Sequence, residues 1–251
     1  MRLNKYIAQA TGLSRRQADD AISRGRAEIF DENGKSVSFE DFAKFGDSQL
    51  KKIVIKVDHK KISLPDKKTL IVLNKPRGYV SSRKAQAKDA TTLYKLLPEK
   101  YSKLKSVGRL DKDSSGLILL TDDGDFAQRM THPSFAKNKT YLVRLDADLQ
   151  PLHQQMISDF GVELPDGKSR LNLTRIESAS ELSANDFSAL KTNEQFEENS
   201  RKIWRVQMSE GKNRQIRRTF SALGYEVLRL HRTEFGEYIL GDLNPGEVRE
   251  I

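Results

Sequence analysis

Residues 108–121, Gly-Arg-Leu-Asp-Lys-Asp-Ser-Ser-Gly followed by Leu-Ile-Leu-Leu-Thr, decide how the rest of the chain is read. The apolar run Leu117–Thr121 is bounded by Gly116 and by Asp122-Asp123-Gly124. Its length and composition are those of a strand buried on both faces. Ahead of it, polar and charged residues crowd onto a loop with glycine at each end. A loop fixed in this way to a rigid sheet presents a carboxylate to a substrate rather than to bulk water.

The 251 residues carry a net charge of +9, enough chain for one large domain or a small and a medium one. The positive balance favours a polyanionic partner, nucleic acid before membrane. No cysteine is present, which excludes disulfides and thiolate metal sites and agrees with a reducing compartment. The histidines (His59, His132, His153, His231) lack ligand spacing, so no metal is expected. Neither an apolar leader nor a run of membrane-spanning length is found. A soluble, cytoplasmic, monomeric protein is expected.

From the N-terminus, Leu3, Ile7 and Ala10 share one helical face, and Thr11-Gly12 breaks that helix. Ser14-Arg15-Arg16-Gln17 has the form of a capping box. It opens a second helix with Ala18, Ala21 and Ile22 as its apolar stripe and Gly25 as its stop. Arg15, Arg16, Arg24 and Arg26 surround its ends, as a solvated face or a phosphate-contacting one. Ile53–Val57 supplies a closing strand and the module ends near residue 62. Residues 63–68 are a polar linker, and 69–251 form the second domain.

That second domain opens on Thr69–Asn74, a buried strand, leading into the turn Lys75-Pro76-Arg77-Gly78. Arg83, Lys84 and Lys88 follow in a segment read as a mobile basic loop. Lys137 to Leu145 alternates as a half-buried strand, in which Tyr141 by itself reads as core. Pro151–Ser158 is a helix with proline in its first turn. Residues 178–201 are acidic and weakly apolar, and are expected to be a solvent-exposed insertion. Ile203–Met208 alternates as a strand. Asn213 then caps a helix that stops at Gly224, with Ile216, Phe220 and Leu223 on one face and Arg214, Arg217 and Arg218 on the other. Segments near Tyr225–Leu230, Tyr238–Leu240 and Val248–Ile251 close the domain. The whole reads as α+β with a large mixed or antiparallel sheet.

Gly-Arg-Leu-Asp, Ser-Gly-Leu-Ile-Leu-Leu-Thr and the Asp-Gly pair resemble the catalytic motif of the RNA pseudouridine synthases, in the RsuA-like ribosomal RNA group. Lys75-Pro76-Arg77-Gly78 resembles the family's Lys-Pro-x-Gly, Lys139-Thr140-Tyr141 its Lys-x-Tyr, and Glu210-Gly-Lys-Asn-Arg-Gln-Ile-Arg-Arg218 its last motif. The N-terminal Arg2-Leu-Asn-Lys5-Tyr-Ile-Ala, Ser14-Arg-Arg-Gln-Ala and Ile22-Ser-Arg-Gly-Arg resemble the S4 RNA-binding module. There relatives follow with a short strand and an Asn-Gly turn, whereas residues 27–34 are longer and acidic.

The resemblance implies a pseudouridine synthase fold with its cleft across the sheet, and isomerisation of uridine in ribosomal RNA or a precursor particle. Large-subunit RNA is the expected target, with no cofactor. It makes Asp111 the catalytic carboxylate, by attack on the sugar, attack on the base or proton abstraction from the sugar. The carboxylate must be ionised, and Arg217 is expected as its ion-pair partner. Tyr141 stacks on a uridine extruded from the helix. Contacts to RNA are expected from Arg2, Lys5, Arg15, Arg16, Arg24 and Arg26 in the first module. In the second they come from Lys75, Arg77, Arg109, Lys139, Asn213, Arg214, Gln215 and Arg218. Asp113 shapes the loop. Two rival readings stand: a ribosome-assembly factor that binds RNA without turnover, and a magnesium-dependent phosphoryl-transfer enzyme using Asp111-x-Asp113-Ser114-Ser115 as a metal loop.

Overall fold

The computed structural model describes residues 2–42, 52–65, 67–83, 90–192 and 201–251. The chain divides into two compact units, residues 1–69 with 122–124 and residues 70–121 with 125–251. The boundary thus falls one residue beyond the expected linker.

In the first unit, α1 (Leu3–Thr11) and α2 (Arg15–Ser23) form where the apolar spacing places them. The capping box is complete: Ser14 Oγ accepts from the Gln17 amide, and the Gln17 side chain accepts from the Ser14 amide. A three-stranded antiparallel sheet follows, ordered β1 (Ala27–Phe30), β2 (Val54–Val57), β3 (Lys60–Ile62). A single helical turn, α3 (Phe39–Phe42), lies between β1 and β2 in sequence. Leu3, Ile7, Ala18, Ala21, Ile29, Phe42, Ile55 and Val57 make one core. The acidic stretch after Arg26 is no departure from a strand and turn. Residues 27–30 pair with β2, and Asp31 Oδ1 then accepts from the amides of Asn33 and Lys35 around Gly34, whose φ is 78°.

The second unit is built on a nine-stranded sheet. Its strands in chain order are β4 (Leu70–Lys75), β7 (Lys105–Val107), β8 (Ser115–Thr121), β9 (Lys139–Leu145), β10 (Asn172–Arg175), β11 (Ile203–Met208), β12 (Val227–Phe235), β13 (Tyr238–Ile239) and β14 (Val248–Glu250). The short strands β5 (Tyr79–Val80) and β6 (Thr91–Thr92) pair with each other. The spatial order is β10-β11-β9-β12-β8-β4-β14, with β13 on β12 and β7 on β8. Among the described residues, the strands are joined by the α-helices α4 (Gly124–Thr131), α5 (Pro151–Gln155), α6 (Ala184–Leu190) and α7 (Gln215–Ser221). The expected helix 151–158 is α5 continued by a π turn at Met156–Phe160.

Side-chain alternation accounts for the two faces. Ile71, Leu73, Ile118, Leu120, Tyr141, Val143, Trp204 and Val206 face one core with Ile216 and Phe220 of α7. On the opposite face, Val72, Leu117 and Leu119 pack with Met130 of α4, and Leu142 and Ile203 pack with Leu190 and Ile176. Strand β9 is therefore buried on both faces from Thr140 to Leu145, where a half-buried strand was expected. The cover comes from the segment expected to be a solvent-exposed insertion. Within it α6 packs on β9 and β12, while residues 193–200 lie outside the described residues.

Among the described residues, every pairing along this sheet is antiparallel except one, β8 with β12, where Ser115 stands beside His231 and Gly116 beside Arg232. Glycine is required at that seam. A Cβ on residue 116 would lie 2.2 Å from the Arg232 carbonyl oxygen and 2.6 Å from its nitrogen, and φ there is +101°. Neither the backbone strain nor the clash has a flexible side chain to relieve it. Gly116→Ala is expected to destabilise the protein by roughly 3–5 kcal/mol, lowering the thermal midpoint by on the order of 10 °C. A thermal melt matching wild type would contradict this seam.

Candidate active site

Asp111 sits on the loop that feeds β8, and the loop is fastened through its backbone. Ser81 donates from Oγ to the Leu110 carbonyl at 2.7 Å and accepts from the Leu110 amide at 3.0 Å. The Gly78 amide donates to the Lys112 carbonyl at 2.8 Å. Lys75 Nζ donates to the carbonyls of Ser114 (2.6 Å), Pro76 (3.0 Å) and Asp111 (3.2 Å). Arg77 Nε and Arg217 Nη2 both donate to the Asp113 carbonyl, at 3.2 and 3.3 Å. The carboxylate of Asp111 is left facing outward, its side chain 31% exposed, on a loop held by residues 75–81 and by Arg217 of α7.

These contacts reassign several residues expected to touch RNA. Lys75 is fully buried and its ammonium is cradled by carbonyls, so it supports the loop rather than a phosphate. Burial lowers its pKa to about 8, against the opposing pull of Asp111 and Asp113. Lys139 likewise donates to the carbonyls of Lys137, Ser209 and Glu210, and burial with Arg232 nearby lowers it to about 8. Gln215 is buried, bonded to Ser169 and Glu210 and accepting from the Lys212 amide. Arg218 is held by both oxygens of Asp166, at 2.9 and 2.8 Å. Arg83 lies 4.5 Å from the Tyr94 ring centroid and donates to the carbonyls of Ser102 and Leu104. It is an anchor of the segment expected to be mobile, whereas Lys84 and Lys88 lie outside the described residues. Arg77, Arg109, Asn213 and Arg214 remain exposed. In the first unit Arg2, Arg15 and Arg16 are exposed and Lys5 partly so, while Arg24 and Arg26 pair with Asp20 and Asp58.

The expected ion pair also shifts. Arg214 Nη1, not Arg217, lies 3.4 Å from Asp111 Oδ2. Helix α7 begins at Gln215, one residue later than an Asn213 cap would allow, and Arg214 takes a left-handed conformation with φ 48°. That backbone removes Arg214 from the helical face of Arg217 and Arg218. Arg217 instead donates Nη1 to the Val227 carbonyl at 2.6 Å, clamping α7 to the start of β12. Burial lowers its pKa, with repulsion from Arg214 and Arg77 outweighed in part by Asp113 and Asp111.

Tyr141 is buried in β9, directly beside Arg232, which in turn stands beside Gly116. The guanidinium of Arg232 is 5.9 Å from the Tyr141 ring centroid and 4.9 Å from that of Phe235, and its Nε donates to the Leu117 carbonyl. A chain of three polar groups runs alongside. Ser115 Oγ is 2.9 Å from His231 Nδ1, and His231 Nε2 is 3.5 Å from Asp186 Oδ1 on α6. Burial raises the Asp186 pKa, but His231 and Ser183 outweigh it and the net shift is downward. Ser115 is thereby turned into the protein, and among the described residues no three His, Asp or Glu side chains are grouped to hold a metal ion. The backbone of residues 111–114 is pinned by Lys75, Arg77, Gly78 and Arg217.

Residues 69–222 match the model of a family described as RNA pseudouridylate synthase. The chain belongs to that family. It is 32% identical, over all of its length and 91% of the relative's, to the ribosomal large subunit pseudouridine synthase B of Bacillus subtilis. It is also 32% identical, over all of its length and 96% of the relative's, to the ribosomal small subunit pseudouridine synthase A of Haemophilus influenzae. A crystal structure of a pseudouridylate synthase superposes with a TM-score of 0.61 at 30% identity, covering all of this chain and 96% of that one. The chain is therefore an enzyme, an RNA pseudouridine synthase. No helix among the described residues is long and apolar enough to cross a membrane.

Arg214→Ala removes the cation beside Asp111 and none of the contacts of Arg217. It is expected to slow single-turnover pseudouridine formation by roughly 10–100-fold with an unchanged melting curve. Arg217→Ala removes the clamp to Val227 and is expected to lower the melting temperature as well. Wild-type turnover in Arg214→Ala, beside an inactive and fully stable Arg217→Ala, would contradict the assignment.

Proposed function

We propose that the enzyme converts one uridine of ribosomal RNA, in the large subunit, to pseudouridine, with Asp111 as the catalytic carboxylate and no metal or cofactor. The observation that carries this is Asp111 itself, presented on a loop whose carbonyls are taken by Lys75, Gly78, Arg77 and Arg217 and whose carboxylate meets Arg214. The reaction breaks the bond from N1 to the sugar and forms one from C5 to the same carbon. The C5 proton leaves to water and N1 gains one, so atoms balance without an external donor. A carboxylate held still next to a fixed cation suits attack on the sugar, attack on the base, or proton abstraction from the sugar, since each draws on the same ionised oxygen.

The base must leave its stack to reach that oxygen, at a cost of a few kcal/mol. Tyr141, one strand from Arg232 and two from Gly116, is the side chain we assign to pack against it. The first unit serves as an S4-like RNA-binding module, in which the exposed Arg2, Arg15 and Arg16 supply phosphate contacts. The enzyme acts as a monomer in the cytoplasm. The relatives from B. subtilis and H. influenzae carry the names of opposite ribosomal subunits at equal identity, so the test includes both RNAs.

Tritium release from C5-labelled uridine in transcribed large- and small-subunit RNA, with chelator present, measures the reaction directly. Release from the large-subunit RNA alone is expected, and Asp111→Asn should lower it by at least about a thousandfold with binding intact. Release from the small-subunit RNA would move the target. Binding without release from either RNA, or from the corresponding particles, would support the assembly-factor reading instead.

A further inference from the structure

The left-handed backbone of Arg214 has its cause in the next residue. An arginine takes that conformation only where its surroundings impose it, and Arg214 makes no side-chain cap bond of its own to α7. Gln215, the first residue of α7, is buried, 3% exposed. Its side-chain amide folds back over the preceding turn. Oε1 accepts from the Lys212 amide at 3.1 Å, while Nε2 donates to Glu210 Oε2 at 3.2 Å and to Ser169 Oγ at 3.1 Å. The segment from Glu210 to Arg214 is thereby closed onto the residue that follows it.

The orientation of that amide is fixed by counting protons. Thr219 Oγ1 gives its proton to the Gln215 carbonyl at 2.9 Å, so in the 2.7 Å contact between Ser169 and Thr219 the serine must donate. Ser169 has then spent its proton, and what faces it from residue 215 must be an N–H. The ring from Gln215 Nε2 to Ser169, to Thr219 and back to the Gln215 main chain runs in one direction, and all three residues are buried. A glutamine turned over would set two acceptors against each other at Ser169 and two donors at Lys212, at high cost where no water can intervene. Ser169 is itself held by paired backbone bonds to Val162, 2.8 Å each, and the same segment grips Arg218 of α7 through Asp166.

We propose that Gln215 is a positioning residue of the active site: its amide imposes the left-handed turn at Arg214 and so delivers the Arg214 guanidinium to Asp111. Being buried, it acts only through Arg214. A right-handed residue 214 would extend α7 backward and return the side chain to the helical face of Arg217 and Arg218, away from the carboxylate. Residues 162–169 then serve as the anchor against which the cation is set. The proposal rests on Asp111 being the catalytic carboxylate.

The test is a double-mutant cycle in the full-length protein, read by single-turnover tritium release. Gln215→Ala is expected to slow release by roughly tenfold or more, with the enzyme concentration at half-maximal rate unchanged. In an Arg214→Ala background the same substitution should cost less than about twofold, because the cation it positions is already gone. An equal loss in both backgrounds would overturn the proposal, since Gln215 would then act by another route. Gln215→Glu keeps the shape and the acceptor for Lys212, but it has no proton for Ser169 and sets a second carboxylate against Glu210. It enters the same cycle if Gln215→Ala fails to fold, and wild-type release by it would overturn the proposal too. A crystal structure of either variant reads the turn without reference to catalysis. Residue 214 turned right-handed, with its guanidinium away from Asp111, is the expected result. An unchanged φ of 48° with Arg214 still beside Asp111 would end the positioning claim. Wild-type release by Asp111→Asn would instead remove the reading on which the cation matters, and leave that structural result standing.

Discussion

The parallel contact between β8 and β12 is the constraint on which the second unit depends. It joins two antiparallel halves of the sheet, and it exists because residue 116 has no side chain to keep Arg232 away. Each partner strand is preceded by a piece of the active site. The Asp111 loop leads into β8, and α7 with Arg214 and Arg217 leads toward β12. Bringing the strands together therefore brings carboxylate and cations together. The same contact sets Ser115 against His231, through which α6 is attached to the sheet.

Around that seam, cations act more as structural ties than as a surface for RNA. A buried ammonium or guanidinium is expensive unless its donors are satisfied, and charge-assisted hydrogen bonds to backbone carbonyls are strong enough to offset much of that expense. Lys75 satisfies three carbonyls around one turn, which fixes the turn more tightly than a single side-chain contact would. Rigidity there has a catalytic meaning. A carboxylate already oriented by its loop need not be ordered when the substrate arrives, and the gain appears in the transition state.

Much of this was readable in the sequence because it rests on local rules. The apolar run 117–121 is a doubly buried strand, the Ser14–Gln17 capping box is formed, and helices begin near Leu3 and Arg15. What failed did so for non-local reasons. Residues 178–192 look solvated by composition, yet Leu182 and Leu190 pack with Leu142, so a weakly apolar stretch roofs β9. The lysines at 75 and 139 read as phosphate ligands because charge alone does not reveal which carbonyls a fold will gather around them. The left-handed Arg214 carried no signal either, since asparagine at 213 is the more usual capping residue and a positive φ at arginine is rare. Strand β12 was expected only as a closing element, although it lies between β9 and β8 within the sheet.

The Asp111 loop is held by the sheet before any RNA binds. Amide hydrogen exchange at Leu110, Ser114 and Gly78, resolved by NMR in the free protein, tests this most directly. Their amides donate to Ser81 Oγ, the Asp111 carbonyl and the Lys112 carbonyl respectively. Protection at all three approaching that of the β8 amides is the predicted result, because opening the loop would require loosening the strand ends that hold it. Exchange at the rate of an unstructured loop would contradict the claim, and would mean that the carboxylate is positioned by the RNA instead.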